Sequence, residues 1–203
     1  MPKILTVVGP RVFEVIRNRI AEILTDEISN QAILSSDTVF LNTKVLIESG
    51  GPEDQQDLSV VNVSLMNGTF GERKSYDGKV KGNYLFSIDV YTNDKNNKLQ
   101  SGDYLASVKC QKLIGLCFAI LDNPIYRTLG YSAKGFIERV KSNDFNFRAQ
   151  NKVDANNTAM GRLVFEVQAD ETVDLLTATV LTEFQTKLTL NTSGKGYYYE
   201  IVL

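Results

Sequence analysis

The sequence predicts an α+β domain: a mostly antiparallel sheet with two helices packed on one face and a C-terminal β-hairpin extension. Three observations carry this. Two stretches repeat their apolar residues at intervals of three and four, and several others alternate apolar with polar residues. The element order reads helix, three strands, helix, two strands, then a hairpin. At 203 residues the chain holds one sizeable domain or one with an appended subdomain. The α+β domain is assigned to 1–171, and 172–203 to a hairpin that extends it.

After Pro10, at a first helical position that tolerates it, Val12, Val15, Ile16, Ile20, Ile23, Leu24 and Ile28 form a helix stripe ending near 30–35. "TVFLNTKVLIES" follows as a strand with Val39, Leu41, Val45 and Ile47 on one face, and "GGPEDQQD" is an acidic turn and loop. "LSVVNVSLMNG" is a strand with Val61, Val63 and Leu65 inward. "GTFGERKSYDGKVKG" then reads as a fifteen-residue loop with four glycines and a basic surplus, a length that is usually functional or disordered. "NYLFSIDVYT" alternates cleanly, placing Tyr84, Phe86, Ile88 and Val90 inward and leaving Ser87 and Asp89 on a solvated side.

"NDKNNKLQSGD" is a polar connection in which Ser101 or Asp103 caps the next helix. That helix, 104–121, carries Ala106, Cys110, Leu113, Ile114, Cys117, Phe118 and Leu121 on one face, and Asn123-Pro124 stops it. Leu105, Val108, Leu116 and Ile120 widen the stripe, so cover is expected on more than one side, from the sheet and from the first helix or a neighbouring subunit. "KGFIERVKSNDFNFRAQ" changes phase near Ser142-Asn143, which implies a bulge or a break. "NKVDANNTAMG" is a polar loop and "RLVFEVQA" a strand with Leu163, Phe165 and Val167 inward. In "DLLTATVLTEFQTKLTLN" the even-numbered residues from Leu176 to Leu190 hold one phase, "TSGKG" turns, and "YYYEIVL" returns.

The residue inventory argues against most chemistry. Histidine is absent, which removes the commonest general base, metal ligand and physiological-pH switch. No phosphate-binding loop, dinucleotide fingerprint, nucleophile elbow or Cys/His metal spacing occurs, so no catalytic, cofactor-binding or metal residue is assigned. Acidic clusters at Glu53, Asp54, Asp57 and at Asp170, Glu171, Asp174 read as solvated turns rather than cation sites. Cys110 and Cys117 stand two helical turns apart, about 10.5 Å, too far for a disulfide, and read as small core hydrophobes in a reducing compartment. No uninterrupted apolar run reaches a membrane span of about 18 residues, and the N-terminus lacks a signal-peptide pattern, so a cytoplasmic protein without membrane contact is expected.

A net charge of −2 gives no overall basic field, but the charge is unevenly spread. Arg73, Lys74, Lys79 and Lys81 crowd the glycine-rich loop, which reads either as a partner-contact segment or as a surface hairpin tip. Lys134, Arg139, Lys141, Arg148 and Lys152 form a second basic stretch, while Glu48–Asp57 and Glu166–Asp174 are acidic. A basic side and an acidic side suit head-to-tail contacts between identical copies, and scatter over a solvated surface produces the same pattern.

The N-terminal amphipathic helix, "FSIDVYTNDKN", the long helix ending at "LDNP", the arginine-bearing strand "FIERV" and "GRLVFEV" together give an order over about residues 10–169 that resembles the bacteriophage tail terminator, or tail completion, proteins. The resemblance implies a virion structural protein assembled in the host cytoplasm, without enzymatic activity or cofactor. It implies a homo-oligomeric ring, commonly a hexamer, that caps the tail tube and joins it to the neck or connector protein, with DNA passing through without sequence-specific binding. The alternatives are another neck or head-completion ring component, or, in a different class, a carboxylate-dependent enzyme or small-molecule binding module.

Overall fold

The computed structural model describes residues 9–49, 59–71, 80–131, 136–149 and 157–171. The hairpin expected over 172–203 lies outside them, as do the side chains of Arg73, Lys74, Lys79, Glu53, Asp54, Asp57 and Asp174. Helix α1 (Val12–Ser35) begins two residues beyond Pro10, where the Glu14 carboxylate accepts the Arg11 N–H at 2.6 Å. A short helix α2 (Thr38–Leu41) precedes strand β1 (Thr43–Ile47). Strands β2 (Ser59–Phe70) and β3 (Lys81–Asp94), helix α3 (Gly102–Leu121), and strands β4 (Ile137–Ala149) and β5 (Asn157–Asp170) follow, with a 3₁₀ turn at Pro124–Tyr126.

The five strands form one sheet in the order β1-β2-β3-β5-β4, antiparallel except for the parallel β1–β2 pair. Helices α1 and α3 pack on one face of it, α1 over β1 and β2 and α3 over β3 and β5, so the α+β class stands. The apolar stripes named from sequence meet between these layers. Ile16, Ile20, Leu24 and Ile28 of α1, Val61 and Val63 of β2, and Tyr84, Phe86, Ile88 and Val90 of β3 are all buried. So are Leu163, Phe165 and Val167 of β5. Cys110 and Cys117 are free thiols within this core, as their spacing predicts.

Four local readings change. "TVFL" is helical rather than extended, because the Asp37 carboxylate accepts the Val39 N–H at 2.9 Å and the Thr43 hydroxyl donates to the Val39 carbonyl at 2.7 Å. Only Phe40 of that turn is buried, and Leu41 faces solvent. The connection between β2 and β3 is shorter than fifteen residues, since Gly68, Thr69 and Phe70 pair with Tyr84, Asn83 and Gly82 and the Gly71 N–H donates to the Lys81 carbonyl at 2.7 Å. Strand β5 starts at Asn157, taking five residues from the expected polar loop.

The fourth change concerns the sheet's second face, where Ser87 and Asp89 are buried rather than solvated. The exit from β1 folds across that face. The Asn62 amide donates to the Ser49 carbonyl at 2.9 Å and accepts the Ser49 N–H at 3.0 Å, while Glu48 accepts the Leu65 N–H. Asp89, opposite Asn62, is closed over by the Arg162 guanidinium from β5.

Candidate assembly surface

Helix α3 carries two apolar stripes. Its start is fixed by Ser101, whose hydroxyl accepts the Tyr104 N–H, and Asn123 caps the 3₁₀ turn that terminates it. Ala106, Cys110, Leu113, Ile114, Cys117, Ile120 and Leu121 face the sheet and are buried. Tyr104, Val108, Gln111, Gly115 and Phe118 recur at spacings of four, three, four and three, a seam on the helix's outward side. Tyr104 is 55% exposed and Val108 and Phe118 are each 44% exposed. Phe118, placed by sequence with the buried stripe, belongs to this outer seam. By length and composition α3 is apolar enough to cross a membrane, yet its sheet-facing half is a core stripe and its outer half supplies the surplus.

The neighbouring strand adds to the seam. β4 slips register between Ser142 and Asp144, the bulge that the change of phase predicts, and slips once more between Ile137 and Arg139. Beyond the bulge Phe145 pairs with Leu163 and Phe147 with Gly161, which puts both aromatics on the helix-bearing face. Their rings meet edge to face at 5.9 Å. Gln111, Ile114, Gly115, Phe118, Phe145 and Phe147 line a groove of about 350 Å³ between α3 and β4. Among the described residues a methyl group built on Gly115 would meet nothing within 4 Å, so no packing among them accounts for a glycine in mid-helix.

Among the described residues, β4 has a strand partner only on its β5 side and β1 only on its β2 side. The exposed edge β4 carries Arg139 and Lys141, while Glu138 is engaged by Lys81 at 2.7 Å. At the other end of the sheet, α1 carries Glu22, which pairs with Arg19 at 3.0 Å, Asp26, and Glu27, which accepts the Tyr126 hydroxyl. Beyond them Ile33, Leu34 and Leu41 are 76%, 70% and 58% exposed. Lys112 of α3 pairs with Asp37 and lies 5.4 Å above the Phe40 ring, fixing α2 against α3 and holding the Asp37 carboxyl below its usual range.

Of the four basic candidates from the glycine-rich loop, only Lys81 is described, and it is the first residue of β3. The acidic cluster at the end of β5 is not a wet turn: Asp170 is buried and Glu171 accepts the Tyr84 hydroxyl, burial raising the Glu171 pKa. Among the described residues no three of His, Cys, Asp and Glu stand where they could hold a metal ion. In the Asp89–Arg162 pair both Asp89 oxygens accept from the guanidinium, at 2.5 and 2.9 Å, with a further bond from Ser87 at 3.3 Å, and the pair faces away from the groove. Sequence alternation could not pair these two residues, because that requires the β3–β5 register. The outer seam was missed from sequence, which placed Phe118 with the buried stripe, although the four-three spacing from Tyr104 to Phe118 is a signal that would have found it. Compared with known proteins, the chain matches no protein-family model and no curated protein.

Proposed function

We propose that this chain is a structural virion protein whose copies form a homo-oligomeric ring at the end of a phage tail tube, joining the tail to the head or neck. The observation that carries the reading is the asymmetry of the sheet. Among the described residues its two outer strands, β1 and β4, are unlike in length and neighbourhood, and a helix end with exposed Ile33 and Leu34 lies toward one while exposed phenylalanines mark the other. Unlike patches on one subunit favour head-to-tail contacts, and such contacts generate closed rings when the rotation per subunit allows. The tail terminator resemblance supplies the remainder: six copies, a tube protein on one side, a connector protein on the other, and DNA passing through. Arg73, Lys74, Lys79 and Lys81 are the candidate contacts to those neighbours.

Analytical ultracentrifugation at tens of micromolar, followed by electron microscopy of the same sample, tests the reading. A species of several subunits with ring-shaped particles is the expected result, and a sharp monomer at every concentration overturns it. A second reading, a binding module for a small apolar molecule, draws on the volume of the α3–β4 groove, which falls at the lower end of ligand-pocket sizes. The groove offers few polar groups to orient a ligand, which favours assembly.

A further inference from the structure

We propose that the Asn67–Gly68 step of β2 is a site of spontaneous covalent modification. The Gly68 nitrogen closes on the Asn67 side-chain amide, ammonia leaves, and the aspartyl or isoaspartyl product loosens the end of the β2–β3 ladder. Asparagine is among the thermolabile residues, and a following glycine, lacking a side chain, leaves its own nitrogen least hindered. The chain holds a single Asn-Gly pair, and both of its residues are exposed. The inference stands apart from the ring reading and draws on no contact between copies.

The register frees the nucleophile. Beyond Val63, the last partner of β1, strand β2 has a neighbour only in β3 among the described residues. Residues of an antiparallel strand alternate between bonding the partner and pointing outward. Leu65 points outward, its N–H donating to Glu48 at 2.9 Å. The bulge at Met66 shifts the register by one residue, so the outward orientation passes to Gly68 rather than to Asn67. The Gly68 N–H therefore lies outside the ladder, and the atom that accepts it is Asn67 Oδ1 at 2.8 Å. Nitrogen and amide are already in contact. Packing keeps the glycine there: a Cβ on Gly68 would stand 3.0 and 3.2 Å from the Tyr84 ring, which is 1% exposed. Any larger residue has to displace a core side chain.

The reaction needs only water and hydroxide. Hydroxide removes the Gly68 amide proton, the bond from that nitrogen to Asn67 Cγ forms, and the Cγ–NH2 bond breaks. The departing nitrogen takes a proton from water and leaves as ammonia. A second water opens the five-membered imide at either carbonyl, giving an aspartyl residue in the normal linkage or an isoaspartyl one. Both products gain a negative charge. The iso linkage also adds a methylene to the main chain of β2, which throws Gly68, Thr69 and Phe70 out of register with Tyr84, Asn83 and Gly82. The extended strand restrains the first step, because the nitrogen reaches Cγ only when the Asn67 main chain rotates. That rotation opens the rungs from Asn67 to Phe70, and the ends of ladders open at little free-energy cost.

The test keeps the full-length protein at pH 8 and 37 °C, native and unfolded in guanidinium chloride, and follows residue 67 by peptide mass mapping. Native conversion within about tenfold of the unfolded rate is expected, because only a ladder end has to open. The rate should rise with pH in proportion to hydroxide. Conversion should vanish in Asn67→Gln, whose longer side chain must close a six-membered ring and whose exposed position leaves the melting point unchanged. The isoaspartyl form, separated by its added charge on an ion exchanger, should lose hydrogen-exchange protection at the Gly71 N–H, which donates to the Lys81 carbonyl at 2.7 Å. A native rate more than about tenfold below the unfolded one would overturn the proposal. So would conversion of Asn93 or Asn97 ahead of Asn67, or an isoaspartyl form in which Gly71 stays protected.

Discussion

Asp89 sits in mid-strand on the sheet face that the helices leave free, with its side chain 5% exposed and both oxygens engaged by Arg162. A carboxylate out of water needs a partner, and the penalty for removing that partner exceeds the net value of the pair. Arg162→Ala should therefore destabilise the fold by about 2–3 kcal/mol, below the range of about 3–5 kcal/mol for fully buried pairs because the guanidinium remains a third exposed. Replacing both residues, as Asp89→Leu/Arg162→Leu, should recover most of that loss. Urea midpoints of the single and double variants measure it, and equal losses would mean that the pair adds stability of its own. The buried thiols give a second measurable signature. Burial pushes Cys110 up to about 11 and Cys117 up to about 12, whereas an unfolded thiol titrates near about 8.5. Above about pH 9 the unfolded chain releases protons that the native chain retains, so stability falls as pH rises toward 11, by up to about 1.4 kcal/mol per pH unit for each thiol. Urea denaturation at pH 8 and pH 10 should show this decline, and a Cys110→Ala/Cys117→Ala variant should show a flatter one.

At the scale of elements, α3 meets β5 through a glycine. A methyl group on Gly161 would collide with Ile114 Cδ1 and stand 3.0 Å from Phe147 and 3.2 Å from Cys110 Sγ, so the helix lies on the bare backbone of the strand. Gly161→Ala should cost about 1–3 kcal/mol by overpacking, opposite in sign to Gly115→Ala on the solvent side of the same helix. Thermal melts of the two variants side by side check the contrast, and a neutral Gly161→Ala would mean that Ile114 yields freely. Neither sign follows from the sequence, where both are glycines in apolar surroundings. The bulge at Ser142–Asp144 has the reverse history. Its phase change is written in the alternation of "FIERVKSNDFNF", and the structure adds only which face Phe145 and Phe147 then reach. The helical turn Thr38–Leu41 was hidden, because Val39 and Leu41 mimic a strand's alternation while a two-residue side-chain cap from Asp37 decides the backbone.

For the whole molecule, periodicity in the sequence determined the class, the two helices, the stripes that meet in the core and the reduced state of the cysteines, because burial imposes a period of 3.6 or 2 on any chain that folds this way. It also located the excess apolar surface of α3 and the uneven charge. What only the tertiary structure decided was relation. Strand order set β1 and β4 at the two ends of the sheet, register joined Asp89 to Arg162 and Lys81 toward Glu138, and the fold-back at Ser49 buried part of a face that alternation assigns to water. Those facts depend on pairings between residues far apart in the chain, and a local pattern carries no record of which distant segment completes it.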